Sequence, residues 1–288
     1  MNTLWLNGKY MPLADGQVSV EDRSLQFGDG IYEVIVAYNG MPVLMEEHLD
    51  RWDRSAAGLG IEQVHSRETR RSVIQELVRT LGTPRTMIYG QLSRGTAKRA
   101  HPFPKNASAT EIWYVRELAP YPEKWYTEGV SIVTHVDERW SRCWIKATCL
   151  LPNVLAKQYA VDHGAFDSIL VMENGNVTES SAGNAYAIKN GTLFTHPANG
   201  RILAGVKRGL TLDLARAHNI PVREEVFSLD FLRTADEIFV TSTTINILPV
   251  TRLDGHLVGT GRVGDLTKRL GALVDADVRR RSDVAAAV

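Results

Sequence analysis

Short apolar runs along this chain end repeatedly in an Asx-Gly pair. Residues 31–38 meet Asn39-Gly40 and resume at Met41-Pro42-Val43-Leu44, residues 168–172 turn at Asn174-Gly175, and residues 185–188 turn at Asn190-Gly191. Asn-Gly accepts positive φ at both central residues of a type I′ turn, so the pattern predicts β-hairpins. Hairpins join antiparallel strands, which argues against a purely parallel, doubly wound sheet. Helical spacing is less frequent. Residues 46–59 repeat apolar positions at Leu49, Trp52, Ala56 and Leu59 before Gly60. Ser66 is placed to cap a helix over 67–81, whose Val73, Leu77 and Leu81 share a face before Gly82. Further helices are predicted from Pro152 to Gly164, over 206–218 until Asn219-Ile220-Pro221, and over 263–280. The two prolines of Ala119-Pro120-Tyr121-Pro122 mark a linker between strand-like stretches at 111–115 and 130–135. The expectation is two α+β domains, a smaller one at 1–120 and a larger one at 121–288, with the Ala-rich tail after Val284 frayed.

Composition narrows the partners. The 288 residues carry 33 basic and 33 acidic side chains and are 44% hydrophobic, an ordinary globular balance that offers nucleic acid no basic footprint. No apolar run reaches the ~18 residues of a membrane span, and Met1-Asn2-Thr3-Leu4-Trp5 has no signal-peptide pattern. Cys143 and Cys149 are too few for a disulfide framework, so a cytoplasmic compartment is expected. The histidines have no ligand spacing, and no metal site is expected.

The candidate chemistry begins with a decoy. Gly259-Thr260-Gly261-Arg262-Val263-Gly264 fits the dinucleotide fingerprint, but that loop needs a preceding strand and a second strand with an acidic residue. Here the pattern runs into a helix and the chain ends. Small-residue loops at Glu179-Ser180-Ser181-Ala182-Gly183-Asn184, Leu203-Ala204-Gly205-Val206 and Ser242-Thr243-Thr244 offer backbone N–H groups and hydroxyls to an anion. Singly each reads as a plain turn, whereas three in one domain suit a phosphorylated cofactor. The basic stretch Arg94-Gly95-Thr96-Ala97-Lys98-Arg99-Ala100-His101 reads either as a solvated loop or as a carboxylate clamp built on Arg99 and His101. Among nine lysines nothing in spacing alone marks Lys146 as reactive, but its neighbours Trp144 and Ile145 suggest an apolar setting, in which desolvation frees an amine.

Taken together these residues resemble the fold-type-IV pyridoxal-phosphate aminotransferases, most closely the D-amino acid branch. The resemblance runs from about residue 4 to residue 270. It is carried by Glu21-Asp22-Arg23, the stretch from Gln26-Phe27-Gly28-Asp29-Gly30 to Tyr32-Glu33-Val34, His48-Leu49-Asp50-Arg51 and Arg94-Gly95-Thr96 with Arg99-Ala100-His101. Ile145-Lys146, Val177-Thr178-Glu179, Thr195-His196-Pro197 and Val240-Thr241-Ser242-Thr243-Thr244 complete it.

It implies a two-domain α+β fold with antiparallel-rich sheets. Lys146, in the C-terminal domain, would hold pyridoxal 5'-phosphate as a Schiff base and move the proton in catalysis. Glu179 would face the pyridine nitrogen, and Leu203 would pack on the ring. Arg51, Gly205, Val206, Lys207, Ser242, Thr243 and Thr244 would hold the phosphate. Tyr32, Arg99 and His101 match a trap for the substrate carboxylate, the last two supplied across a homodimer interface. The implied reaction is ping-pong transfer of the amino group of a D-amino acid such as D-alanine to a 2-oxo acid such as 2-oxoglutarate. The alternatives are an (R)-selective amine transaminase, which lacks the Arg-x-His pair, and a branched-chain enzyme, which has tyrosine where Leu151 stands. Two positions depart from the D-amino acid pattern: Lys207 replaces a phosphate-binding threonine, and Val36 replaces a lysine.

Overall fold

The computed structural model describes residues 3–283. The tail from Val284, read above as frayed, lies outside the described residues. The chain forms two compact units. The first comprises the chain up to Pro120, the segment Ile145–Cys149 and the end of the last helix from Val278; the second comprises Tyr121–Trp144 and Leu150–Asp277.

The first unit contains β1 (Thr3–Leu6), β2 (Lys9–Pro12), α1 (Arg23–Phe27), β3 (Gly30–Tyr38), β4 (Met41–Val43), α2 (Met45–Leu59), α3 (Arg67–Leu81), β5 (Arg85–Ser93) and β6 (Thr110–Glu117). Its six strands form an antiparallel sheet in the order β2-β1-β6-β5-β3-β4. The β3–β4 hairpin turns where expected, with Asn39 at φ 49° and Gly40 at φ 86°. In β3 the period-two pattern buries Ile31, Glu33, Ile35 and Ala37 and leaves Tyr32 and Val34 half-buried on the other face. The buried stripes of α2 and α3, including Trp52, Ala56, Ile74 and Leu77, form the core with Ile88 and Trp113, and Trp52 stacks on Trp113 at 4.7 Å. Ser66 caps α3 by accepting from the Thr69 N–H at 3.1 Å.

The segment Ile145–Cys149 corrects the expected domain division, which assigned Lys146 to the C-terminal domain. Ile145 and Ala147 are buried in the core of the first unit, and Ala147 bridges Ile31 of β3. The main chain of Lys146 accepts from the Tyr32 N–H at 2.9 Å, and that of Thr148 donates to Gly30 at 2.9 Å. Two apolar side chains and this ladder of bonds hold the segment to β3, although it lies far from β3 along the chain.

The second unit contains α4 (Glu123–Thr127), β7 (Val130–Val136), α5 (Leu151–Asp162), β8 (Asp167–Val171), β9 (Val177–Ser180), β10 (Asn184–Lys189), β11 (Thr192–Thr195), α6 (Val206–Ala217), β12 (Val222–Glu224), α7 (Leu229–Arg233), β13 (Glu237–Ser242), β14 (Asn246–Leu253), β15 (His256–Leu257) and most of α8 (Asp265–Asp283). The sheet runs β12-β11-β10-β13-β14-β7-β8-β9, with β15 on β14. It is mixed: β11/β12, β14/β7 and β7/β8 are parallel and the remaining pairs antiparallel. The β7–β8 crossover contains α5, as parallel neighbours require. Ile132, Ile169, Ala185, Ile238, Val240 and Leu248 lie in its core. Among the described residues no helix is long and apolar enough to cross a membrane.

Candidate active site

In the first unit the Lys146 main chain is held on both sides, since its N–H donates to Ser55 Oγ at 3.1 Å and its carbonyl accepts from Tyr32. This leaves the side chain half-buried with Nζ 4.1 Å from the centroid of the Tyr32 ring. The apolar setting expected from Trp144 and Ile145 is only half present, because Ile145 is 3% exposed but Trp144 is 41% exposed. The ring beside the amine is that of Tyr32, on which an ammonium is attracted to the π face.

One turn of α2 carries His48 and Arg51, and both meet Glu33 of β3. Arg51 Nε donates to Glu33 Oε1 at 2.6 Å and its NH2 to Oε2 at 2.9 Å, while His48 Nδ1 lies 2.8 Å from Oε2. All three are buried. Burial alone would raise the Glu33 pKa, but Arg51 and His48 outweigh it and hold the carboxyl far below its ordinary range. Burial pushes His48 down against the opposing pull of Glu33, with Arg51 and Lys146 adding to the fall. A neutral His48 thus donates from Nδ1 to Glu33. Arg51 was anticipated; the Glu33–His48 support was not, although Glu33 and His48 stand within the quoted motifs. A glutamate on the core-facing register of a strand is the signal that pointed to it.

Arg99 and His101 are exposed in the loop after β5, grouped about Phe27: the Arg99 guanidinium is 5.2 Å and the His101 ring 5.6 Å from its centroid. Among the described residues no hydrogen bond joins either to Tyr32.

In the second unit Glu179 of β9 is 4% exposed. It accepts from Arg139 NH1, from the Leu203 N–H at 3.3 Å and from Asn184 Nδ2 at 3.0 Å. Arg139 was missed by the sequence reading. It is anchored by Asp137, which accepts from its Nε and NH2 at 2.8 Å each, and Thr178 Oγ1 donates to Asp137 at 2.7 Å. An Asp-x-Arg directly after a strand, followed by Thr178-Glu179, was the available clue. Burial raises the Glu179 pKa against the pull of Arg139. Burial acts the other way on Arg139, but Glu179 and Asp137 overcome it and fix its charge.

Asn184 connects this carboxylate to the expected anion loops. Its Nδ2 also donates to the Leu203 carbonyl at 2.8 Å, and a Cβ on Gly205 would drive into its Oδ1, so the backbone must pass close here. Gly205 precedes α6 and supplies no side-chain cap, so no capping side chain covers the first N–H groups of the helix. Lys207 and Arg208 are buried in the first turn, where the helix dipole favours negative rather than positive charge. Arg208 donates to Glu224 at 2.7 Å. Asn184 pairs in register with Thr241, one residue before Ser242, which brings the Ser242-Thr243-Thr244 turn to the same end of the sheet. Ser242 Oγ and Thr244 Oγ1 are 3.4 Å apart, and Tyr121 OH donates to Thr244 at 3.3 Å.

This fold and these residues define a class. The chain belongs to the class IV aminotransferases, whose family model matches residues 30–253. It is therefore a transaminase, with the α+β fold of the fold-type-IV enzymes. It is 42% identical over 270 residues to the D-alanine aminotransferase of Staphylococcus aureus (strain MSSA476), covering 94% of this chain and 95% of that one. It is 39% identical over 264 residues to the D-alanine aminotransferase of Bacillus licheniformis, covering 92% and 93%. Among solved structures, the T.th. branched-chain amino acid aminotransferase with pyridoxamine 5'-phosphate superposes with a TM-score of 0.90 at 26% identity, covering 98% of this chain and 96% of that one. The Escherichia coli branched-chain enzyme does so at 0.87 and 27%, covering 93% and 92%.

Proposed function

We propose that this transaminase moves the amino group of a D-amino acid such as D-alanine to a 2-oxo acid such as 2-oxoglutarate, in two half-reactions at one pyridoxal 5'-phosphate. The observation that carries the reading is the amine of Lys146 set 4.1 Å from the ring of Tyr32, a residue of the expected carboxylate trap. When bound, the cofactor supplies an electron sink for breaking the substrate Cα–H bond. The donor set suits it. An α6 start with no side-chain cap and buried basic residues in its first turn favours a phosphate, and Ser242, Thr243 and Thr244 add hydroxyls. Arg51, held by Glu33, and Lys207, in place of the family threonine, would each offer charge to a phosphate. Leu203 would pack against the ring, and Glu179 would keep a proton on the pyridine nitrogen. Lys146 Nζ would hold the cofactor and, once displaced by the incoming substrate amine, would be the base for the substrate Cα proton.

Tyr32, Arg99 and His101 receive the substrate carboxylate. We assign the last two to the neighbouring protomer of a homodimer. Their exposure supports this, as does α5, whose Leu151, Val154, Leu155 and Val161 are 67%, 58%, 51% and 55% exposed. A cytoplasmic setting fits two free cysteines.

The test is optical. The purified protein loaded with cofactor should absorb in the near-visible, and D-alanine, but not L-alanine, should bleach that band. Bleaching by L-leucine instead would make this a branched-chain enzyme. Val36, 2% exposed where D-amino acid enzymes have lysine, favours a second reading as an (R)-amine transaminase. Turnover of (R)-1-phenylethylamine that survives Arg99→Ala would establish it.

A further inference from the structure

The loop bearing Arg99 and His101 is long and exposed, so fixing it around a ligand costs conformational entropy unless its backbone is ordered beforehand. The motif residues Asp22, Arg23 and Asp29 have no part in the reaction described above, and all three hold this loop. Arg23 is 4% exposed. Its NH1 donates to the Ala100 carbonyl at 2.6 Å and its NH2 to the His101 carbonyl at 3.4 Å, the two main-chain acceptors that follow Arg99. Its Nε donates to Asp29 Oδ2 at 2.7 Å. Arg94 takes the same carboxylate, with Nε on Oδ2 at 2.8 Å and NH2 on Oδ1 at 3.0 Å, and ties it to the Leu59 and Gly60 carbonyls at 2.7 and 3.0 Å.

Two further contacts complete the arrangement. Phe27, at the end of α1, lies against both cations, 4.6 Å from the Arg23 guanidinium and 5.2 Å from that of Arg99. Asp22 accepts from Ser93 Oγ at 2.9 Å and Thr110 Oγ1 at 2.7 Å, at the two ends of the loop. The Arg23 N–H itself donates to Gly95 at 3.0 Å. Gly95 sits at φ 94°, and a Cβ there would strike the Ser108 carbonyl, so the loop leaves β5 by a route open to glycine.

We propose that Arg23 is a positioning residue for substrate carboxylate recognition. It fixes the main chain at Ala100 and His101 so that Arg99 and His101 present one arrangement to the ligand. Asp29 orients Arg23 and Arg94 together, and Phe27 sets the plane of the Arg99 guanidinium. This rests on the carboxylate reading of Arg99 and His101 given above. An Arg23 that only supported the fold would, when altered, lower stability and turnover together.

The experiment compares Arg23→Lys, Phe27→Leu and Arg99→Ala holoenzymes with the parent. Arg23→Lys keeps the charge beside Asp29 but loses the planar fork that reaches two carbonyls. The expected result is a KM about tenfold higher for both D-alanine and 2-oxoglutarate, with a far smaller fall in kcat. Amide hydrogen exchange should quicken over residues 97–101 and stay unchanged in β5. Unchanged KM values, or kcat falling in step with the thermal midpoint, would overturn the proposal. Should Arg23→Lys not fold, Phe27→Leu decides: a raised KM for both substrates supports the proposal and an unchanged one overturns it. Arg99→Ala separates the two layers. If it leaves KM for D-alanine unchanged, the carboxylate reading fails and this inference with it. If it raises KM while Arg23→Lys and Phe27→Leu do not, only the positioning role fails.

Discussion

Glu33, His48 and Arg51 form a buried cluster whose protonation states are coupled, which has a consequence for pH. The folded His48 imidazole resists a proton that the unfolded chain accepts below about pH 6.5, its ordinary value. The folded Glu33 carboxylate likewise stays ionised where an ordinary glutamate, near pH 4.3, takes a proton up. In both windows the unfolded state binds more protons, so stability falls as pH falls, first through His48 and then through Glu33. Thermal midpoints measured from about pH 7 to about pH 5 should drop more steeply in the parent than in His48→Gln. Parallel curves would rule the His48 contribution out. Sequence reading could single out a residue where its type stood in a recognisable motif, as with Lys146, Arg51 and Glu179. It failed at Arg139, because what gives that arginine a role is Glu179, forty positions away and adjacent only once β9 is formed.

At the level of elements, α6 meets its surroundings through a glycine. Gly205 must pass Asn184, and Asn184 in turn holds both Glu179 and the Leu203 carbonyl. Gly205→Ala should displace Asn184, costing about 1–3 kcal/mol as overpacking does. The variant should also retain less cofactor after gel filtration. Chemical denaturation and the near-visible band measure the two effects, and full retention at parent stability would show that the passage is wider than described. The long amphipathic helices α2 and α3 were legible with their boundaries, because caps and apolar spacing agree there: Ser66 caps one, and Gly60 and Gly82 end them at φ 60° and 65°. The five-residue helices α1, α4 and α7 were not, since one turn and a half carries no readable period. The parallel neighbours of β7 were also hidden. β14 comes from a distant part of the chain and β8 follows through the α5 crossover, whereas a hairpin signal reports only strands joined by a tight turn.

For the whole molecule, the neutral total of 33 basic and 33 acidic side chains coexists with strong local charge, positive at the exposed loop of Lys98 and Arg99 and paired at Glu179 with Arg139. The first unit is discontinuous in sequence, which the proline-marked linker could not reveal. A fragment of residues 1–120 lacks Ile145 and Ala147 from its core and should not unfold cooperatively, whereas the full chain should. Circular dichroism through a thermal ramp distinguishes them, and a sharp transition in the fragment would mean that the inserted segment is dispensable. The discontinuity also sets an order of events during synthesis. Domains generally fold as the chain emerges from the ribosome, N-terminal parts first. Here the first sheet can pair its strands early, but the strip that carries Lys146 joins it only after a further stretch of chain has been made. Lys146 can therefore take its place against β3 only after the chain has been made as far as this strip, well beyond the last strand of the first sheet.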